Sequence, residues 1–270
     1  MPPDMQKLPT TQRPALLNFV ITAASILVFW QLLVSITGIP KFMLPAPLAV
    51  FESVLTHAQS LASHSLITGF EIVVGLVIGS CLGIISAIGL TASTSVRRWA
   101  LPLMVISQSL PVFALAPLLT LWFGYGISSK IIMAILIIYF PVVAATFDGL
   151  RHTQPAMLDL AQTLRATPLS IMFQIRLPAA LPSIASGIRV ATSIAPIGAV
   201  VGEWVGSSKG LGYLMLHANG RMQTDLMFAA LLCLCLIALL LYFCVNRLLD
   251  RILYWQRDSS QFHTAQPHRN

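Results

Sequence analysis

The sequence predicts an all-α, polytopic membrane protein with six transmembrane helices, and three observations carry that expectation. Hydrophobic residues make up 56% of the 270 positions and charged residues 9%, with a mean hydropathy of +0.81. Soluble domains carry about a quarter charged residues, so a soluble globule is excluded. Six separate stretches are apolar over about 20 residues, the length that crosses a hydrocarbon core as a helix. Finally, the basic residues segregate onto one set of connections, as in cytoplasmic loops.

The first span is residues 15–39, "ALLNFVITAASILVFWQLLVSITGI". It exceeds the apolar core of a secretory signal and no small-residue cleavage pattern follows closely, so it reads as a retained anchor. The next five spans fall near residues 71–92, 101–123, 131–148, 184–205 and 226–249. With the N-terminus in the cytoplasm, Lys7, Arg13, Arg97, Arg98, Arg151, Arg165, Arg176, Arg189, Arg247, Arg251, Arg257 and Arg269 lie on that side. These are 12 of the 16 basic residues; Lys41, Lys130, Lys209 and Arg221 lie outside. Both termini are then cytoplasmic, with a tail at 1–14, a six-helix transmembrane domain at 15–249 and a second tail at 250–270. The net charge of +7 reads as basic loops facing anionic lipid, not as a nucleic-acid surface.

Two carboxylates mark span edges, Glu71 opening the second and Glu203 closing the fifth. Each has two readings, a gate or substrate-facing group, or a carboxylate at headgroup level. No acidic or basic residue is expected mid-span. Pro111, Pro117, Pro141 and Pro196 fall inside spans, where each removes a backbone donor and bends or breaks its helix. Lipid tolerates such breaks only against protein or a water-lined cavity, which turns spans three to five toward the bundle. Gly75, Gly79, Gly83 and Ala87 recur every four positions and predict close approach of another helix.

The connection between spans four and five, residues 149–183, is long for a membrane bundle. Met157, Leu158, Ala161 and Leu164 recur at helical spacing, with Asp159 near the helix start. Thr167-Pro168 separates this helix from a second, "PLSIMFQIR", which Leu177-Pro178 is expected to end before Pro182 turns the chain back. Two short helices with apolar and basic positions side by side form either a docking surface or an interfacial pair resting on lipid.

"DLAQTLRATPLSIMFQIRLP" resembles the cytoplasmic loop of ABC-importer permeases, whose pattern runs Glu-Ala-Ala, three residues, Gly, nine residues, Ile, any residue, Leu-Pro. Asp159, Leu160 and Ala161 stand for the opening triad, Arg165 for the glycine, and Ile175, Leu177 and Pro178 for the end. "SLPVFALAPLLTLWFGYGISSKI", "YFPVVAATFDGL", "VVGEWVGSSKGLGYLM" and "FMLPAPLAVFESV" resemble the nitrate, sulfonate and taurine branch of that family. "GLGYLMLHANGRMQTDLMFAALL" is most similar to its thiamine-precursor hydroxymethylpyrimidine permeases.

The resemblance implies a type I ABC importer permease in a bacterial inner membrane. It implies two such subunits, identical here, with two ABC ATPase subunits and an outer solute-binding protein. Asp159, Ala161, Leu164, Arg165, Ala166, Phe173, Ile175, Leu177 and Pro178 would form the surface that couples to the ATPase. Arg165 at the glycine position would either continue the first helix or pair with the ATPase. The segments 44–64 and 206–225 are the expected landing surfaces of the solute-binding protein.

Ser107, Gln108, Ser109, Thr192, Ser193 and Glu203 are candidates for the translocation pathway. No G-x-x-x-x-G-K-[ST] loop occurs, and "GSSKG" at 206–210 lacks its spacing and reads as an outer turn. No nucleophile–base pair or metal-ligand spacing is present in the sequence, so the chain reads as no enzyme. It carries no cofactor of its own, and ATP with magnesium would sit in the partner ATPase. A secondary transporter is the rival reading, and the substrate alternatives are sulfonate, taurine or nitrate.

Overall fold

A computed structural model describes residues 15–109 and 111–255, with side chains described for 21–106 and 111–255. Both expected tails, apart from residues 250–255, lie outside the described residues, as do the side chains of Ser107, Gln108 and Ser109. The described chain is helical throughout: α1 Ala15–Thr37, α2 Pro47–Thr56, α3 Ala58–Ala92, α4 Thr94–Ser109, α5 Val112–Phe123, α6 Ile127–Arg151 and α7 Pro155–Thr163. A helical rod, Pro168–Gly206, follows and is α8 here. Then come α9 Leu211–Gly220 and α10 Thr224–Ile252.

Among the described residues four helices are long and apolar enough to cross a membrane: α3, α6, α8 and α10. The expected first span corresponds to α1. The expected third span is not one helix. Pro111 stands in extended geometry (φ −67°, ψ 110°) and splits it into α4 and α5. A ring without an N–H cannot donate to the helix and accounts for the break. Pro141 and Pro196, by contrast, sit inside unbroken helices.

The core is a sandwich of α6 between α3 and α8. Ile72, Leu76, Ala134, Ile138, Val142, Ala191, Ala195 and Ala199 form its fully buried centre. The four-residue stripe on α3 does what its spacing predicts. A Cβ on Gly75 would stand 2.6 Å from Ala134 Cβ, one on Gly79 2.9 Å from Ile138 Cγ2, and one on Gly83 3.0 Å from Val142. From the other side Gly187 lies against Ala145, and Gly198 against the Ala134 backbone. Small residues let the three backbones approach, and dispersion between closely packed helices is the main attraction available in lipid.

At the end of the bundle where α6 begins, α2, the start of α3, α9 and the start of α10 close into a cap around Val50, Leu61, Leu211, Ala218, Leu226, Ala229 and Ala230. At the opposite end, where α6 finishes, lie α7 and the first turns of α8.

Candidate functional site

The α6–α8 connection is built as two walls of a groove. Pro155 opens α7 at its first helical position, where a missing N–H costs nothing. Ala161 is buried, while Met157, Leu160 and Leu164 are exposed along one side. Asp159 sits at the fifth position, past the first turn, so the helix-start role expected of it is not met. Leu164 ends the helix, and Arg165 adopts φ +53°, the left-handed region. Arg165 N donates to Gln162 O at 2.9 Å and Ala166 N to Ala161 O at 2.9 Å. That pair of bonds is the Schellman arrangement, normally completed by glycine. Arg165 therefore turns the chain as glycine would, and the expected continuation of the helix is corrected. The left-handed backbone costs a non-glycine residue roughly 1–2 kcal/mol.

The second wall differs from its expected form. Thr167 caps the helix, its Oγ1 accepting from Ser170 N at 3.2 Å, and Pro168 takes the first position. The helix does not stop at Leu177-Pro178. Residues Ile171–Arg176 widen into a π-helix, and Leu177 N donates to Met172 O, five residues back. The wider turn gives room to the Pro178 ring, which in a regular α-helix would collide with the carbonyl of Gln174. Pro182 is likewise inside the helix. The second short helix and the fifth span are thus one rod of 39 residues. Met172 anchors its start in a cluster with Phe147, Leu150, Ala180 and Ile184.

Between the walls is an open groove of about 470 Å³, lined by Met157, Leu160, Ala161, Leu164, Ala166, Ser170, Gln174, Ile175, Pro178 and Ala179. Phe173 and Leu169 stand exposed beside it, and Asp159 and Arg165 are exposed nearby. Leu177 is half-buried. The structure therefore gathers Ala161, Leu164, Ala166, Ile175 and Pro178 into one concavity and sets Asp159, Arg165 and Phe173 on exposed positions around it.

Of the pathway candidates, Thr192, Ser193 and Glu203 have described side chains, all on α8. Thr192 is buried and its Oγ1 donates to Ile188 O at 2.7 Å, satisfied within its own helix. Ser193 is exposed on α8. Glu203 is 1% exposed and bonded to Thr68 Oγ1 at 2.6 Å and Gly212 N at 2.5 Å. Glu71 is fully buried as well, with Lys130 Nζ 3.4 Å from its Oε1. Both carboxylates are thus enclosed by protein. Lys130, expected just outside its span, is buried too.

α3 begins at Ala58, so Glu71 lies well inside its helix, whereas Lys130 lies in the first turn of α6. Arg189, too, lies within the rod, donating from Nε to Asn246 Oδ1 at 2.8 Å and pairing with Asp250 at 2.7 Å. The buried pairs were missed because Glu71 and Lys130 are 59 residues apart in sequence, and Thr68 and Glu203 135. The one available signal was an acidic residue beside each apolar run.

Residues 79–254 match the family described as the inner membrane component of binding-protein-dependent transport systems. The chain belongs to that family. It is 54% identical over 239 residues to a probable ABC transporter permease protein of Haemophilus influenzae, covering 88% of this chain and 98% of the relative. It is 34% identical over 233 residues to the formylaminopyrimidine transport permease protein ThiX of Halalkalibacterium halodurans, covering 86% and 93%.

Among solved structures, a chain of the methionine ABC transporter MetNI in an inward-facing conformation aligns with a TM-score of 0.56 at 19% identity, over 77% of this chain and 98% of that one. That likeness concerns the fold. The protein is an ABC importer permease and not an enzyme. A permease of this family works with an ATPase and a solute-binding protein, and the secondary-transporter reading falls away.

Proposed function

We propose that the groove at 155–179 is the socket for the ATPase subunit and that the 39-residue rod carries its movement into the membrane. The observation that supports this most is the continuity of α8 through Pro178. A displacement at Phe173 or Leu169 cannot be absorbed by a hinge before the core is reached. The open, apolar concavity favours a convex protein partner over a flat lipid surface, and exposed apolar clusters of this kind mark interaction sites. In this reading ATP is hydrolysed by two copies of the partner, and both termini and the groove face the cytoplasm.

A second, identical permease subunit completes the pathway. Ser186, Val190, Ser193 and Ile197 form an uncovered stripe on α8 that includes two hydroxyls. The exposed face of α10, with Leu232, Leu236, Leu239, Leu240 and Phe243, has the wholly apolar character that lipid requires. The hydroxyl-bearing stripe suits a partner and a hydrated path, with Ser193 facing it. The solute-binding protein lands on the cap formed by α2 and α9. Its cargo is a thiamine-precursor pyrimidine, in keeping with the ThiX relative. Sulfonate, taurine and nitrate are the competitors.

Leu164→Asp or Phe173→Asp should abolish co-purification of the ATPase while leaving membrane insertion and monodispersity unchanged; unaltered stoichiometry in both variants would overturn the socket. Ligand binding by the solute-binding protein, measured against aminopyrimidines, taurine, an aliphatic sulfonate and nitrate, decides the cargo.

A further inference from the structure

The turn between α8 and α9 gives up three successive backbone amides to side chains of other helices. Gly210 N donates to His64 Nδ1 at 2.8 Å, Leu211 N to Thr68 Oγ1 at 2.8 Å, and Gly212 N to Glu203 Oε2 at 2.5 Å. Thr68 in turn donates to Glu203 Oε1 at 2.6 Å, which closes the network. The first amides of a helix have no acceptor within it, so some outside group must take them. Here the acceptors come from the first third of α3 and the last turn of α8, not from a cap residue of α9.

The joint is tight and dry. Thr68 is 0% and Glu203 1% exposed. A Cβ on Gly212 would stand 2.8 Å from Glu203 Oε2, and one on Gly210, at φ +113°, would overlap the same carboxylate. A carboxylate at a helix N-terminus also meets the positive end of its dipole. Beyond the joint, α9 is embedded by Leu211 and Ala218 in the apolar cap with α2, α3 and α10.

The cap therefore connects to α8 through Glu203. That residue sits on the same unbroken rod as the groove wall, about 50 Å from Pro168 at 1.5 Å per residue.

We propose that Thr68 and Glu203 are positioning residues that clamp α9 to the rod, so that a solute-binding protein landing on the cap biases the ATPase-coupling end of α8. The proposal rests on the socket reading above and adds the contacts through which the cap is joined to the rod. A clamp that was merely structural would lower stability when broken without separating cargo sensing from ATP hydrolysis.

The test uses the whole importer in proteoliposomes, with the solute-binding protein as purified from cells, and compares wild type with Glu203→Gln and Thr68→Val. Glutamine keeps the volume but has one acceptor oxygen for two donors. Valine keeps the shape of threonine and leaves the Glu203–Gly212 bond in place.

The expected result is unchanged ATPase co-purification, basal ATP hydrolysis within about twofold of wild type, and stimulation by the solute-binding protein falling toward none. Amide exchange at 210–212 should rise in both variants. Faster exchange with stimulation fully retained would overturn the proposal. If Glu203→Gln does not assemble, Thr68→Val decides alone, by the same ratio. Failure of the socket reading is separable, because it shows as Leu164→Asp retaining the ATPase.

Discussion

Ala134 of α6 is squeezed from two sides, and the two contacts differ in a way that a rescue experiment can resolve. In Gly75→Ala the new Cβ would stand 2.6 Å from Ala134 Cβ, with Ala134 Cα next at 3.7 Å. In Gly198→Ala it would stand 2.8 Å from Ala134 Cα itself. Carbon atoms rest at about 3.5–4.0 Å, so either change must push a helix away from α6 by about 1 Å. Overpacking of this kind costs about 1–3 kcal/mol, while alanine regains up to about 1 kcal/mol of helix propensity. Each single variant should lose roughly 1–2 kcal/mol.

Adding Ala134→Gly removes the Cβ that Gly75→Ala strikes and leaves an ordinary 3.7 Å contact. It leaves the Cα that Gly198→Ala strikes. Rescue is therefore expected for the first pair and not for the second. Gly69→Ala, whose Cβ meets nothing within 4 Å, is the control and should be neutral or slightly stabilising. Unfolding by SDS titration in mixed micelles, followed by tryptophan fluorescence, measures the five variants against wild type. Equal rescue of both pairs, or of neither, would refute the three-helix contact.

The Lys130–Glu71 pair predicts a second asymmetry. Lys130→Met leaves a carboxylate buried without its countercharge and should destabilise by about 3–5 kcal/mol; Lys130→Met with Glu71→Leu should recover most of that loss in the same titration. Arg165→Gly should stabilise by about 1 kcal/mol because only glycine takes φ +53° without steric strain, whereas Arg165→Ala should not. ATPase co-purification with Arg165→Gly then shows whether the guanidinium itself is needed: retention assigns Arg165 to the turn, and loss assigns it to the partner.

Local chemistry was legible where one helix or one turn decides the outcome. The Gly75–Gly79–Gly83 stripe announced its face because small residues at four-residue spacing have one geometric use in lipid. Thr167-Pro168 announced a helix start, and "GSSKG" a turn. Prolines were less readable. Pro111 breaks its helix, yet Pro141, Pro182 and Pro196 sit inside unbroken ones, and a π segment precedes Pro178. A proline states that one hydrogen bond is missing and leaves open whether the chain turns.

The short helices α2 and α9 escaped notice because neither is long enough to register as a span. Their apolar faces make sense only once folded against α10. The pairing of Glu203 with Thr68 and of Glu71 with Lys130 is a matter of tertiary contact, and no periodicity encodes it.

The π segment at Ile171–Arg176 has a geometric corollary. A turn closed five residues back holds one more residue than its α counterpart, and each residue of an α-helix advances the face by about 100°. The azimuth of the Phe173 side relative to everything beyond Pro178 is thus set by a single surplus residue. Excising one position there would leave composition and length nearly untouched and swing the handle of the rod a quarter-turn away from whatever grasps it.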